Sequence, residues 1–148
     1  MDYEKLLKDH LIKKQRPDLE QIKSQLIRAE KDLQTAESVI PIDLTWSFAI
    51  AYHAMIRAGR ALMFSRGYLP TTKNSHKTIM EFTGSILGDK YKDLMLRFNR
   101  MRRKRHDFIY DSQNHTTLSE ATSAIKTARE LIDKIRGLTV AEKSESLL

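Results

Sequence analysis

Arg105, His106 and Tyr110 stand within one short stretch of the chain. Together they can bind and act on a phosphodiester. A guanidinium presents a planar fork of donors that fits paired phosphate oxygens. An imidazole titrates near neutrality, and a phenol donates a proton or a hydrogen bond. Register singles out Arg105. Tyr91, Leu94, Phe98, Met101 and Phe108 form an apolar stripe, and Arg105 takes the place between the last two where Leu or Ile is expected. Burying an unpaired guanidinium is costly, so Arg105 must be paired, at the end of a bundle, or at an interface. Two readings stand side by side. Its stem packs while its head snorkels into water, or it is held at a groove as a cation for phosphate or carboxylate. Arg102, His106 and Tyr110 are four apart and share a face on a continuous helix, with Arg103 near it. The plain alternative for that face is a solvated basic surface.

The charge supports a local reading. Formal net charge is +7, from 26 basic and 19 acidic residues in 148. Arg97, Arg100, Arg102, Arg103, Lys104 and Arg105 form a run without an acid, and the remainder is close to neutral. Arg97, Arg100, Arg102, Arg103 and Lys104 are therefore candidate nucleic-acid contacts. A bundle that binds DNA or acidic surfaces by charge alone is a further reading, with steep salt dependence. No helix-turn-helix signature supports it.

Several chemistries are excluded or lack a motif. There is no cysteine, so disulfides, thiolate catalysis and cysteine-ligated metals are ruled out. This suits a reducing cytoplasm. No His-Glu-x-x-His and no glycine-rich phosphate loop occurs. No metal site and no cofactor is expected. No span reaches the ~20 apolar residues of a transmembrane helix, so no membrane is expected either. His53 reads as a satisfied core residue and His76 as a helix-start or loop residue. His10 and His115 have no visible partner.

The elements that position these residues are helices. Five glycines and three prolines leave few turns. Pro17 opens a first long helix, with Leu19, Ile22, Leu26, Ala29, Leu33, Ala36 and Ile40 as its seam, and Pro41 ends it. Asp43 caps a second helix to about Arg66 that is apolar over most of its circumference and must be central. Gly67 and Pro70 stop it. Ser75 caps a short helix to about Leu87. A third long helix starts near Asp89, and Asp111, Ser112 and Asn114 point to its end nearby. The last runs on Leu118, Ala121, Ile125, Ala128, Ile132 and Ile135, with Ser119 as cap and Gly137 after it. Tyr3 to Lys14 reads as a short helix, and no segment alternates like a strand. The fold expected is all-α: an antiparallel up-down four-helix bundle with one short extra helix between the second and third long ones. Residues 1–16 form a short helix or extension, 17–137 the bundle and 138–148 a flexible tail.

With those helices in place, the sequence resembles the HEPN family. The second-helix stretch from Ala49 through Tyr52, Met55 and Ala58 to Arg60-Ala61-Leu62 carries the likeness. So do the break at Gly67 and Pro70, the step Ser75-His76-Lys77, and Arg105 to Asp111 at the place of the family signature. The likeness covers roughly Leu19 to Gly137 and rests on order and spacing together. It implies a helical bundle that dimerises. It further implies a metal-independent ribonuclease of a toxin–antitoxin or defence system, paired with a nucleotidyltransferase antitoxin. Other members are non-catalytic modules, for which a nucleotide or an acidic partner is the expected ligand.

Carried over, the resemblance places the signature arginine at Arg105, its polar neighbour at His106, and Tyr110 where the signature histidine falls. A looser spacing would pair Arg100 with His106. Cleavage through the 2′-hydroxyl needs a base, a donor to the leaving oxygen and cations for the charged transition state. Tyr, with a pKa near 10, is only about 0.1% phenolate at pH 7. Tyr110 is thus suited to donating or binding, and His106 to the base if it faces the groove. Arg105 and Tyr110 are about 140° apart on an unbroken helix. They converge if the helix ends between them or a second copy completes the site.

Overall fold

The computed structural model describes residues 3–72, 74–110 and 115–146, with side chains for 3–72, 74–108 and 115–139. Its order is α1 (Glu4–Lys8), β1 (Ile12–Lys14), α2 (Leu19–Val39), α3 (Leu44–Ser65), β2 (Tyr68–Pro70), α4 (Ser75–Leu87), a 3₁₀ turn (Asp89–Tyr91), α5 (Lys92–Tyr110) and α6 (Leu118–Ser146). This is an all-α helical bundle, as the helical periodicities predict, with α4 as the short helix between the second and third long ones.

The long helices start on capping side chains. Asp18 Oδ1 accepts from the Glu20 amide at 3.0 Å, and Asp43 Oδ1 from the Trp46 amide at 3.0 Å. Each satisfies an amide that has no intrahelical partner. Pro17 therefore lies just outside α2 rather than at its first turn. Thr117 and Glu120 form a reciprocal capping box at α6: each side chain accepts from the other's amide, at 3.1 and 3.0 Å. The cap is Thr117, not Ser119. Asn74, in left-handed backbone, precedes α4 without a side-chain cap bond, so Ser75 is the first helical residue. The α6 backbone continues past Gly137 to Ser146. A single glycine costs a helix only ~1 kcal/mol, less than its other residues offset.

Side-chain contacts fix the directions. Ser47 Oγ donates to the Ala36 carbonyl at 2.6 Å, whereas Arg57, further along α3, bonds Asp32 and Gln25. The α2 and α3 helices thus run antiparallel. Arg97 reaches Glu130 and Lys104 reaches Glu120, so α5 and α6 do the same. Ring pairs Phe48–Phe108 and Tyr52–Phe98 order α3 against α5 in that way too. At the centre, Tyr52, Met55, Leu62, Phe82, Phe98, Leu131 and Ile132 are fully buried, each large apolar side chain contributing roughly 1.5–3 kcal/mol. Ala51, Ala54, Ala58 and Ala61 are also fully buried on α3, which is the central helix its composition demands. A Cβ on Gly59 would stand 2.5 Å from Ile79 Cγ2, so α4 packs directly against its backbone.

The expectation for the N-terminal segment is corrected too. Residues 3–14 do not form one helix. The chain leaves α1, turns at His10 with φ 58°, and pairs β1 antiparallel with β2, Lys13 opposite Leu69. Three-residue strands are too short to show alternation, and this pairing is created by the Gly67 turn after α3, with φ 87°. Leu6 and Ile12 are buried in the common core.

Candidate functional site

A groove of about 510 Å³ opens between α2, α3 and α5. Its walls are Arg28 and Asp32 of α2, Trp46, Ile50, His53 and Arg57 of α3, and Arg105 with Phe108 of α5. Past His53 and Arg57 it continues into a second depression, which adds Gln25, Arg60 and His76. The α3 contribution follows from register. Trp46, Ile50, His53, Arg57 and Arg60 are spaced four, three, four, three, so they form one face. That face turns from apolar to cationic along the helix.

Arg105 is partly buried at this groove. It makes no hydrogen bond or ion pair among the described residues. The neighbouring guanidiniums differ. Asp32, almost fully buried, accepts from Arg28 Nε at 3.1 Å through one oxygen and from Arg57 Nε at 3.1 Å through the other. Arg57 also donates to Gln25 Oε1 at 3.0 Å. Asp32 therefore fixes two cations in the groove wall, while the Arg105 guanidinium is not held in this way. Arg60 likewise makes no hydrogen bond or ion pair among the described residues. Trp46 is 60% exposed, an indole face open to solvent at the groove wall.

Two imidazoles complete the wall. The His53 and His76 rings are 6.2 Å apart between centroids. His76 Nδ1 is hydrogen-bonded to the buried Tyr52 hydroxyl at 3.0 Å. Loss of hydration in the groove lowers the pKa of His53, Arg105 and Arg57 lower it further, and Asp32 opposes them. Desolvation also lowers His76, with Arg105, His53, Arg60 and Arg102 acting in the same direction. Burial holds the Tyr52 phenol above its ordinary value, against Arg102 and Arg105.

The residues singled out from the sequence are thus dispersed. Arg105 is at the groove. His106 is exposed and is not among its lining residues. Tyr110 ends α5 in backbone, and its side chain lies outside the described residues. Of the cations, Arg97 bonds Asp93, Thr127 and Glu130. Arg102 bonds Asn99 at 2.9 and 3.1 Å. Lys104 pairs with Glu120 and lies 5.9 Å from the Phe48 and Phe108 ring centres. Arg100 and Arg103 are exposed without a hydrogen bond or ion pair among the described residues. The assignment of His53 to the core is corrected. It is exposed on α3, because the helix's small residues face inward and its 46–50–53–57–60 face points out. That stripe is the signal in the sequence that leads to His53, Arg57 and Arg60. Tyr52 has no such signal, since His76 lies on another helix, and Asp32 shows in the sequence only its i, i+4 partner Arg28, not Arg57 of α3.

The fold and groove define a helical bundle with a cation-lined cleft walled by its first three long helices. The HEPN domain family profile matches residues 22–138, and the chain belongs to that family. No curated protein matches it. Among the described residues no helix is long and apolar enough to cross a membrane. None of their His, Asp and Glu side chains form a group of three suited to a metal ion.

Proposed function

We propose that this HEPN protein binds RNA in the α2/α3/α5 groove and cleaves it without a metal cofactor. The observation that carries the reading is Arg105, a guanidinium with no hydrogen-bond or ion-pair partner among the described residues, in a cleft beside two imidazoles and an open indole. Arg105 holds one phosphate through charge-assisted hydrogen bonds. Trp46 stacks a neighbouring base, an arrangement that suits single strands because every base has a π-face. Arg100 and Arg103 draw the strand in by charge. The reading keeps His106 and Tyr110 at the exit of α5 as further contacts. It includes a second copy of the chain and a nucleotidyltransferase antitoxin as partners, in a cytoplasmic toxin–antitoxin or defence setting. Co-purification with a neighbouring gene product tests that part. The direct experiment incubates end-labelled RNA with wild type and Arg105→Ala in chelator and looks for 2′,3′-cyclic phosphate ends. Cleavage by wild type and not by the variant supports the reading; identical behaviour refutes it.

A second reading is favoured by the engagement of Arg97, Arg102 and Lys104 inside the fold, which leaves fewer cations for a long strand. There the groove takes a single nucleotide or an acidic partner and does no chemistry. Affinity that does not grow with RNA length would favour it.

A further inference from the structure

We propose that proton transfer in this groove is carried by His53 of α3 and His76 of α4, outside the Arg105–Tyr110 stretch; the proposal rests on the RNA reading above. The two ring centroids stand 6.2 Å apart, His53 in the groove that Arg105 lines and His76 in the adjoining depression that His53 shares. His53 is exposed and makes no hydrogen bond among the described residues, so a ring nitrogen is available to a ribose hydroxyl. His76 is anchored at Nδ1 by Tyr52. That leaves Nε2, on the far side of the ring, as the nitrogen able to exchange a proton with a ligand. Nδ1–H donates to the Tyr52 hydroxyl in the imidazolium and again in the neutral ring left when Nε2 gives up its proton, so one bond holds the ring in both states.

The groups around each ring suit a passing proton. His53 faces Arg57 on its own helix, Asp32 from α2, Arg105 from α5 and His76 from α4. His76 faces Tyr52, His53 and Arg60 from α3, and Arg102 and Arg105 from α5. Cations outnumber acids around both, which favours the neutral base and makes the imidazolium a ready donor.

The step balances without a co-reactant. Neutral His53 takes the proton of the ribose 2′-hydroxyl, and O2′ forms a bond to phosphorus. The bond from phosphorus to O5′ breaks, its electron pair stays on O5′, and that oxygen takes the Nε2 proton of imidazolium His76. The products are a 2′,3′-cyclic phosphate and a 5′-hydroxyl. Exchange with water resets both rings. Because the active form has one ring neutral and one charged, and both are lowered from 6.5, the pH–rate profile is a bell with its optimum below pH 6.5.

The experiment measures binding and cleavage of a fluorescein-labelled oligoribonucleotide from pH 5 to 8, in chelator, by wild type, His53→Asn, His76→Gln and His106→Asn. The expected result is a fall in kcat of about 100-fold or more for each of the first two variants, with RNA affinity close to wild type. His53 is exposed, so its variant keeps the test valid if His76→Gln destabilises the fold. Wild-type cleavage by His53→Asn overturns the proposal, as does cleavage that depends on His106 alone. Wild type that binds RNA yet leaves it intact at every pH overturns the proposal and spares RNA binding. Wild type that neither binds nor cleaves overturns the RNA reading, and the proposal with it.

Discussion

Tyr52 Oη lies 3.0 Å from His76 Nδ1, tying a fully buried ring of α3 to the first turn of α4. The bond links the core to the groove, since His76 lines the depression that Arg57 and Arg60 share. Removing the hydroxyl keeps the ring's packing and leaves the imidazole unanchored. Tyr52→Phe is expected to cost about 1 kcal/mol, the usual net worth of such a bond. Urea denaturation checks this, and an unchanged midpoint would show that the bond contributes nothing.

Acid should weaken the fold through the two groove histidines. Both have folded pKa values below the ordinary 6.5, with desolvation as the main cause. Below about pH 6.5 the unfolded chain binds more protons than the folded one, so folding stability falls as pH falls. Their contribution is complete above 6.5 and lost as pH drops through the folded values. Thermal melts of wild type and of a His53→Asn, His76→Gln double variant between pH 5 and 8 should show a smaller acid loss in the variant. Parallel curves would contradict the shifts.

The helices were readable because each long one carries a seam of its own. The seam of α2 from Ile22 to Ala36 and the nearly all-apolar α3 need no knowledge of their partners. The β1–β2 pair was not readable, since Lys13 and Leu69 meet only after α3 has folded back. At the site, Arg105 stood out because it breaks a stripe. His53 did not, because taken singly a polar residue on a mostly apolar helix looks the same whether it faces a core partner or a cleft; only the face it shares with Arg57 and Arg60 separates the two. The cation run misled in part. Charge along a sequence does not show that Glu130 and Glu120 of α6 take up Arg97 and Lys104.

Gly59 is a test of the α3–α4 contact. An added Cβ would meet Ile79 Cγ2 at 2.5 Å and Thr83 Oγ1 at 3.0 Å. Overpacking outweighs the gain in helix propensity, and Gly59→Ala is expected to destabilise by roughly 1–3 kcal/mol. A stabilised variant in chemical denaturation would mean that α4 packs less closely there.

Asp32 should matter through the cations it holds. It is the acid shared by Arg28 and Arg57, and both arginines keep substantial exposure, which limits the loss. Asp32→Asn is expected to cost about 1–2 kcal/mol. It should also raise affinity for RNA, since two guanidiniums lose their internal acid. Weaker RNA binding in a variant that remains folded would contradict this.

The central claim is that Arg105, and not the cation run as a whole, is the phosphate anchor. The most direct measurement is the dissociation constant of a labelled single-stranded RNA for wild type, Arg105→Ala and Arg97→Ala at one fixed salt concentration. A hydrogen-bonded charge is worth ~1.5–3 kcal/mol, so Arg105→Ala should weaken binding by about 10- to 100-fold. Arg97, held by Asp93, Thr127 and Glu130, should change affinity by less than about threefold on replacement, the effect of an exposed charge pair. Equal losses for the two variants, or none for Arg105→Ala, would contradict the account.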